Sequence, residues 1–209
     1  MGQEGEPHVT MQTMKQAIRQ RIIADRELLP VALRLKYSRE ITARLLKMPE
    51  YQAARTVLGY MSFGAEFSSD EWVQQVLADG KQLLLPKVNL QSKELDLYFV
   101  TDLHQDLALG LWDIREPQIE RCTKADPRRD VDFILMPGVT FSRVGARLGY
   151  GGGFYDKLIA RLPGHPALVA AAYELQILAH LPQEVTDRKV EWLLTENEKI
   201  NCKPSGNVN

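Results

Sequence analysis

The sequence predicts a single α/β domain, a three-layer sandwich whose central, mostly parallel sheet is flanked by helices. Three observations carry that reading. Short apolar runs of strand length alternate along the chain with segments of helical period, the rhythm of β-α-β units. One such run, Val131–Met136, lies upstream of a glycine-rich turn that opens a helical segment from Phe154 to Leu162. The length, 209 residues, suits one hydrophobic core and requires no second domain. The domain is expected over residues 11–198, between a flexible tail at 1–10 and a polar, frayed tail at 199–209.

Taken in order, the elements have local reasons. A first helix begins near Met11 and ends near Leu29-Pro30, with Ala17, Ile18 and Ile22 as its apolar stripe. Lys15 and Arg19 stand four residues apart and so share a helical face, which by residue type alone reads as solvated. A second helix is expected from Pro30 to about Lys47, with proline acceptable in its first turn. Thr56–Phe63 reads as a strand, and Ser68 with Glu71 as a capping box opening a helix through Leu77. Lys81–Val88 and Leu95–Val100 read as two strands joined by a polar connection. Gly110–Pro117 shows no clear period, and Asp126–Asp130 is a charged turn leading into the Val131–Met136 strand. Val139 and Phe141 continue that strand or its bend. Beyond the glycine turn and its helix, Ala167–Tyr173 reads as a buried strand, Gln176–His180 as a helical turn and Val190–Thr195 as the last strand. No internal repeat or low-complexity segment interrupts the series.

Composition excludes several classes of function. With 26 Lys plus Arg against 27 Asp plus Glu and no basic run, a general nucleic-acid binder is not expected. Cys122 and Cys202 stand alone and far apart, the pattern of ordinary thiols in a reducing compartment, not of a disulfide framework or a zinc site. No apolar run approaches membrane length and no signal-peptide core is visible, so a soluble cytoplasmic protein is expected.

The chemistry concentrates in Arg147-Leu148-Gly149-Tyr150-Gly151-Gly152-Gly153-Phe154-Tyr155-Asp156, where four of ten residues are glycine. Glycine lets the backbone take positive φ and approach a ligand closely. The following helix adds unpaired N–H groups and the positive end of its dipole, so the turn can hold phosphate without a dedicated cation. The stretch is not a P-loop, since the Lys and hydroxyl of that motif are missing, and Phe154 stands where a dinucleotide fingerprint needs its third glycine. A tight surface turn is the plain alternative. Ser142 lacks a G-x-S-x-G elbow, and His180 has no neighbouring ligand at metal spacing. Asp156, just inside the helix, would repel a polyphosphate unless a cation such as Mg²⁺ lay between them.

The run Arg147–Asp156 resembles the signature of the 5-formyltetrahydrofolate cyclo-ligase (methenyltetrahydrofolate synthetase) family, roughly R-L-G-x-G-x-G-[YF]-Y-D, and the likeness extends from about Met14 to Glu196. The resemblance implies ATP- and Mg²⁺-dependent cyclisation of 5-formyltetrahydrofolate to 5,10-methenyltetrahydrofolate, with release of ADP and phosphate and without a protein nucleophile. It implies that Lys15 and Arg19 grip the nucleotide opposite Arg147, Leu148, Gly149, Tyr150, Gly151, Gly152, Gly153, Phe154 and Tyr155. It implies a folate site built from Glu66, Trp112, Phe154 and Tyr155, and a metal held by Asp156 and Asp187, with Glu191 as a weaker alternative. Small-molecule partners only, reduced folate and ATP, and a monomeric state are expected with it. Some members carry Arg at the Tyr150 position and Lys at the Gly152 position; this chain carries neither charge, and Phe154 lacks the hydroxyl of the tyrosine often found there. Two other classes compete: a non-catalytic module that binds folate or nucleotide, and an ATP-dependent enzyme of the same architecture with a non-folate substrate.

Overall fold

The computed structural model describes residues 10–126 and 131–203. The expected tail at residues 1–9 and most of the charged turn, residues 127–130, lie outside them. Five α-helices and twelve strands are present among the described residues. Helix α1 (Met11–Leu28) is capped by Thr10, whose side chain accepts from the Thr13 amide, and α2 (Val31–Leu45) begins directly after Pro30. The short α3 (Pro49–Ala53) leads into β1 (Thr56–Leu58), and α4 (Asp70–Ala78) into the hairpin of β2 (Gln82–Asn89) and β3 (Glu94–Val100). There follow β4 (Leu107–Leu109), β5 (Arg115–Pro117), β6 (Thr123–Lys124), β7 (Phe133–Met136), β8 (Thr140–Phe141) and β9 (Arg147–Leu148). Helix α5 (Phe154–Arg161), β10 (Ala167–Ala171), β11 (Trp192–Leu194) and β12 (Lys199–Asn201) complete the series.

The main sheet runs in the order β12-β11-β10-β7-β1-β2-β3-β6. Its centre is parallel, through the pairings β11/β10, β10/β7, β7/β1 and β1/β2, and its two edges are antiparallel. Both faces are covered, as the alternation along β7 records: Phe133 and Leu135 enter one core with Ile41, Tyr51 and Trp72, while Ile134 and Met136 enter the other with Leu158 and Ala170. This is the α/β sandwich expected from the sequence. Chain order reverses on either side of β1, which has β2 as one neighbour and β7 as the other. The loops leaving the carboxyl ends of β1 and β7 therefore open into the crevice where such sheets bind ligands.

Several local expectations are corrected. The Thr56–Phe63 strand stops at Leu58. The amide of Gly59 makes one more bond, to the Leu84 carbonyl at 3.0 Å, and the chain then turns away. Ser69 fixes that turn by donating to the Tyr60 carbonyl (2.7 Å) and accepting from the Ser62 amide (3.0 Å). Because Ser69 is the residue before α4, its hydroxyl is unavailable for capping, and the expected Ser68/Glu71 capping box does not form. Between β7 and the glycine turn, where the strand or its bend was expected to continue, stands a separate hairpin of β8 and β9. The polar tail expected from Lys199 begins instead with β12, which pairs with β11. The predicted helical turn at Gln176–His180 lies earlier, as a 3-10 turn over Glu174–Gln176, and His180 is exposed. No helix among the described residues is long and apolar enough to cross a membrane.

Candidate active site

The crevice above β1 and β7 is a cleft of about 1170 Å³. Each residue singled out in the sequence as a nucleotide, substrate or metal contact lines it, except the alternative Glu191, which pairs with Lys203 at 3.1 Å instead. Helix α1 supplies one wall. Lys15 and Arg19 do share a face, but not a solvated one: Lys15 is 5% exposed and Arg19 half-buried. Lys15 donates from Nζ to Asp187 Oδ2 (3.1 Å) and pairs with Glu184 (3.2 Å). Arg19 donates from Nε to the Gly149 carbonyl (2.7 Å), tying helix and glycine turn together.

The turn itself is held in the conformation glycine allows. Gly151 has φ +107° and Gly153, the residue before α5, has φ +64°. The amides of Tyr150, Gly151, Gly152 and Gly153 donate to no protein acceptor among the described residues. With the unpaired first turn of α5 they form a row of donors at the positive end of a helix, a site with the chemistry for a polyanion. Beneath them Arg147, 9% exposed, holds Asp156 through both carboxylate oxygens at 2.8 and 2.9 Å and the Pro137 carbonyl at 3.2 Å. Asp156 Oδ1 also accepts from the Arg188 amide (2.9 Å), which places the Asp187 segment beside it. Asp187 Oδ2 takes Lys15 and the Glu184 amide, while its Oδ1 makes no hydrogen bond within the described residues.

A second part of the cleft, around Glu66, is more aromatic. Glu66, in the loop after β1, is buried, and desolvation raises its pKa against the hydrogen bond from Tyr150, the field of Arg26 and the Phe63 amide. The Tyr150 hydroxyl donates to Glu66 Oε1 (2.6 Å) and accepts from Arg26 Nη2 (2.9 Å). The side chain of Tyr150 is thus turned to Glu66, although its backbone belongs to the glycine turn. Burial raises the Tyr155 phenol as well, with Arg147 opposing the shift; its hydroxyl is buried without a partner in the described residues. Phe154 and Tyr155 pack onto the α5 side of the core. Trp112, on the hairpin of β4 and β5, is 63% exposed as a residue, and it and Asp113 both have left-handed backbones, φ +58° and +56°.

Arg26 is the one residue of this network that sequence reasoning missed. A signal existed: Lys15, Arg19, Ile22 and Arg26 are spaced 4, 3 and 4, a single stripe along α1.

Comparisons with known proteins agree along nearly the whole chain. A profile of the 5-formyltetrahydrofolate cyclo-ligase family matches residues 11–196. A 5-formyltetrahydrofolate cyclo-ligase of Mus musculus is 26% identical over 202 residues, covering 90% of this chain and 97% of its own. One from Haemophilus influenzae is 29% identical over 183 residues, covering 85% and 95%. The NMR structure of Aquifex aeolicus 5,10-methenyltetrahydrofolate synthetase superposes with a TM-score of 0.80 at 31% identity, covering 94% of this chain and 96% of that one.

Proposed function

Because this chain belongs to the 5-formyltetrahydrofolate cyclo-ligase family, we propose that it closes 5-formyltetrahydrofolate to 5,10-methenyltetrahydrofolate at the expense of ATP, in this one cleft. The observation that carries the proposal is the division of the cleft into a cationic, amide-lined end and an aromatic end with one buried carboxylate. A triphosphate fits the first. Its oxygens meet the free amides of residues 150–153, Arg19 from α1, and Lys15 once that side chain leaves its acids. A pterin with adjacent N–H donors fits the second, where Glu66 accepts and the rings of Trp112, Phe154 and Tyr155 flank it.

The reaction then follows from placement. The formyl oxygen attacks the terminal phosphorus of ATP, and the bond from that phosphorus to ADP breaks. Nitrogen-10 attacks the activated formyl carbon, the carbon–oxygen bond breaks with departure of phosphate, and nitrogen-10 loses its proton. The protein supplies no nucleophile. It brings two substrates into line and surrounds the transferring group with donors aimed in advance. The donor set suits Mg²⁺, a hard cation held by one or two carboxylates together with phosphate oxygens and water. Asp156 and the free Oδ1 of Asp187 would hold it, and bound there it would neutralise charge on the phosphate oxygens. Arg147 orients Asp156 from below, and Tyr155 borders both ends of the cleft. The reading is of small-molecule substrates and a chain that works as a monomer in the cytoplasm, its domain spanning 11–198 with β12 added at the sheet edge.

The test mixes purified protein with 5-formyltetrahydrofolate, Mg²⁺ and ATP and follows the absorbance band of the methenyl product. Growth of the band only with ATP, and its loss in Asp156→Asn or with a chelator, is the expected result. A flat trace from folded wild-type protein that still binds ATP would refute the folate assignment and favour an ATP-dependent enzyme with another substrate.

A further inference from the structure

Arg26 is 3% exposed, yet only one of its donor atoms has a partner: Nη2 bonds the Tyr150 hydroxyl, while Nε and Nη1 are buried with none among the described residues. A guanidinium kept out of water with two atoms unpaired is destabilising, and its retention calls for a role. The charge it faces through the Tyr150 hydroxyl is Glu66. The phenol is a bridge, taking a hydrogen bond from the cation (2.9 Å) and giving one to the carboxylate (2.6 Å). The other Glu66 oxygen accepts from the Phe63 amide at 3.2 Å, and its backbone carbonyl accepts from Tyr173 at 2.9 Å, so the whole residue is pinned. The remaining ionisable groups around it are the phenols of Tyr60 and Tyr155, which are neutral, and Arg34, which bonds the Gly64 carbonyl at the loop's outer edge. Arg26 is therefore the cation coupled to this carboxylate.

We propose that Arg26 and Tyr150 are positioning residues for Glu66: the guanidinium, acting through the phenol, keeps the buried carboxylate ionised and its plane fixed, so that its unused lone pairs face a substrate edge carrying adjacent N–H donors. The proposal rests on the folate reading above for the identity of that substrate, but the ionisation of Glu66 does not. It also assigns Tyr150, a member of the glycine turn, to the folate end of the cleft by its side chain.

The experiment uses the full chain labelled with ¹³C at glutamate carboxyls, the Glu66 signal being identified by its loss in Glu66→Gln. Its titration midpoint is compared in wild type, Tyr150→Phe, Arg26→Met and Arg26→Lys, beside calorimetric affinities for 5-formyltetrahydrofolate and ATP across pH. Tyr150→Phe keeps the ring that lies 5.2 Å from that of Phe63, so the fold is preserved. A charge-assisted hydrogen bond is worth enough that its loss should raise the midpoint by about one to two pH units. Folate affinity should fall about tenfold between the two midpoints and recover as pH rises above the variant's, while ATP affinity changes by less than about twofold. Arg26→Lys should restore part of what Arg26→Met loses. Unmoved midpoints in Tyr150→Phe and Arg26→Met, or a folate loss that does not vary with pH, would overturn the proposal. A midpoint that moves while wild-type protein binds no 5-formyltetrahydrofolate would uphold the network and refute the folate reading.

Discussion

Asp156→Asn perturbs a buried ion pair as well as a candidate metal ligand, and the two effects separate cleanly. In the wild type Arg147 and Asp156 form a two-pronged pair whose side chains are 6% and 21% exposed. The substitution keeps the shape and one acceptor oxygen but removes the charge, leaving the guanidinium with one neutral amide oxygen and the Pro137 carbonyl as its partners. Breaking a buried pair from one side costs about 3–5 kcal/mol, because the surviving charge stays desolvated. The amide oxygen retained by Asn and the partial exposure of Asp156 place the expected loss at the lower end, about 3 kcal/mol. For a domain of this size that lowers Tm by about 6–12 °C. The assay is urea unfolding without Mg²⁺ or nucleotide, in a double-mutant cycle with Arg147→Met. The double variant should be little worse than either single one, leaving a coupling energy of about 2–3 kcal/mol. A loss below about 0.5 kcal/mol in Asp156→Asn, or additive losses in the cycle, would refute the claim that this pair organises the turn.

Three further outcomes follow from the same geometry. Gly151→Ala should weaken ATP binding about tenfold by calorimetry, because a Cβ at φ +107° strains the turn by about 1–3 kcal/mol. Glu66→Gln should change the pH dependence of stability: a carboxyl whose folded pKa is raised contributes stability that is present below its unfolded pKa of about 4.5 and lost as pH rises through the folded value, so wild type should decline across that window relative to the variant in urea titrations. Trp112→Ala should weaken folate binding by about 1–1.5 kcal/mol and abolish the part of the tryptophan fluorescence that responds to folate, with ATP affinity unchanged.

How much of this was legible in the chain depends on how local its cause was. The fold class could be read because strands buried on both faces appear as unbroken apolar runs, as Phe133–Met136 does. The glycine turn could be read because positive φ demands its residue type at the position itself. The end of β1 at Leu58 could not, since the apolar residues beyond it are buried in a loop, and apolarity alone does not distinguish a strand from a packed loop. The Ser68/Glu71 pattern failed because the tertiary contact of Ser69 with Tyr60 took the hydroxyl at the helix start. Lys15 and Arg19 illustrate the converse: their spacing was visible, but their burial depends on Glu184, Asp187 and Gly149, more than a hundred residues away. The family resemblance, not the helical period, turned that pair from a solvated face into a candidate site. The stripe of Lys15, Arg19, Ile22 and Arg26 marked the place of Arg26 and the resemblance named Tyr150, but their meeting at Glu66 lay beyond both, for neither residue type nor motif reveals which way a turn tyrosine points.

The acids beside Lys15 and Arg147 give the cationic end of the cleft a further property. Asp187, Glu184 and Asp156 already occupy those side chains in the ligand-free protein. On the proposed reading, a nucleotide arriving at Lys15 would displace Glu184 and Asp187 instead of meeting a bare cation, while Arg147 keeps Asp156, so the step would be an ion exchange. Its net heat is then a small difference between large opposing terms, and its response to salt is shallower than the number of lysines and arginines suggests. An exchange of this kind favours the anion with the most oxygens to offer, because each carboxylate displaced has to be replaced. On the proposed reading, a polyphosphate would be favoured over a lone inorganic phosphate, because it has more oxygens to offer Arg19, the amide row and Lys15.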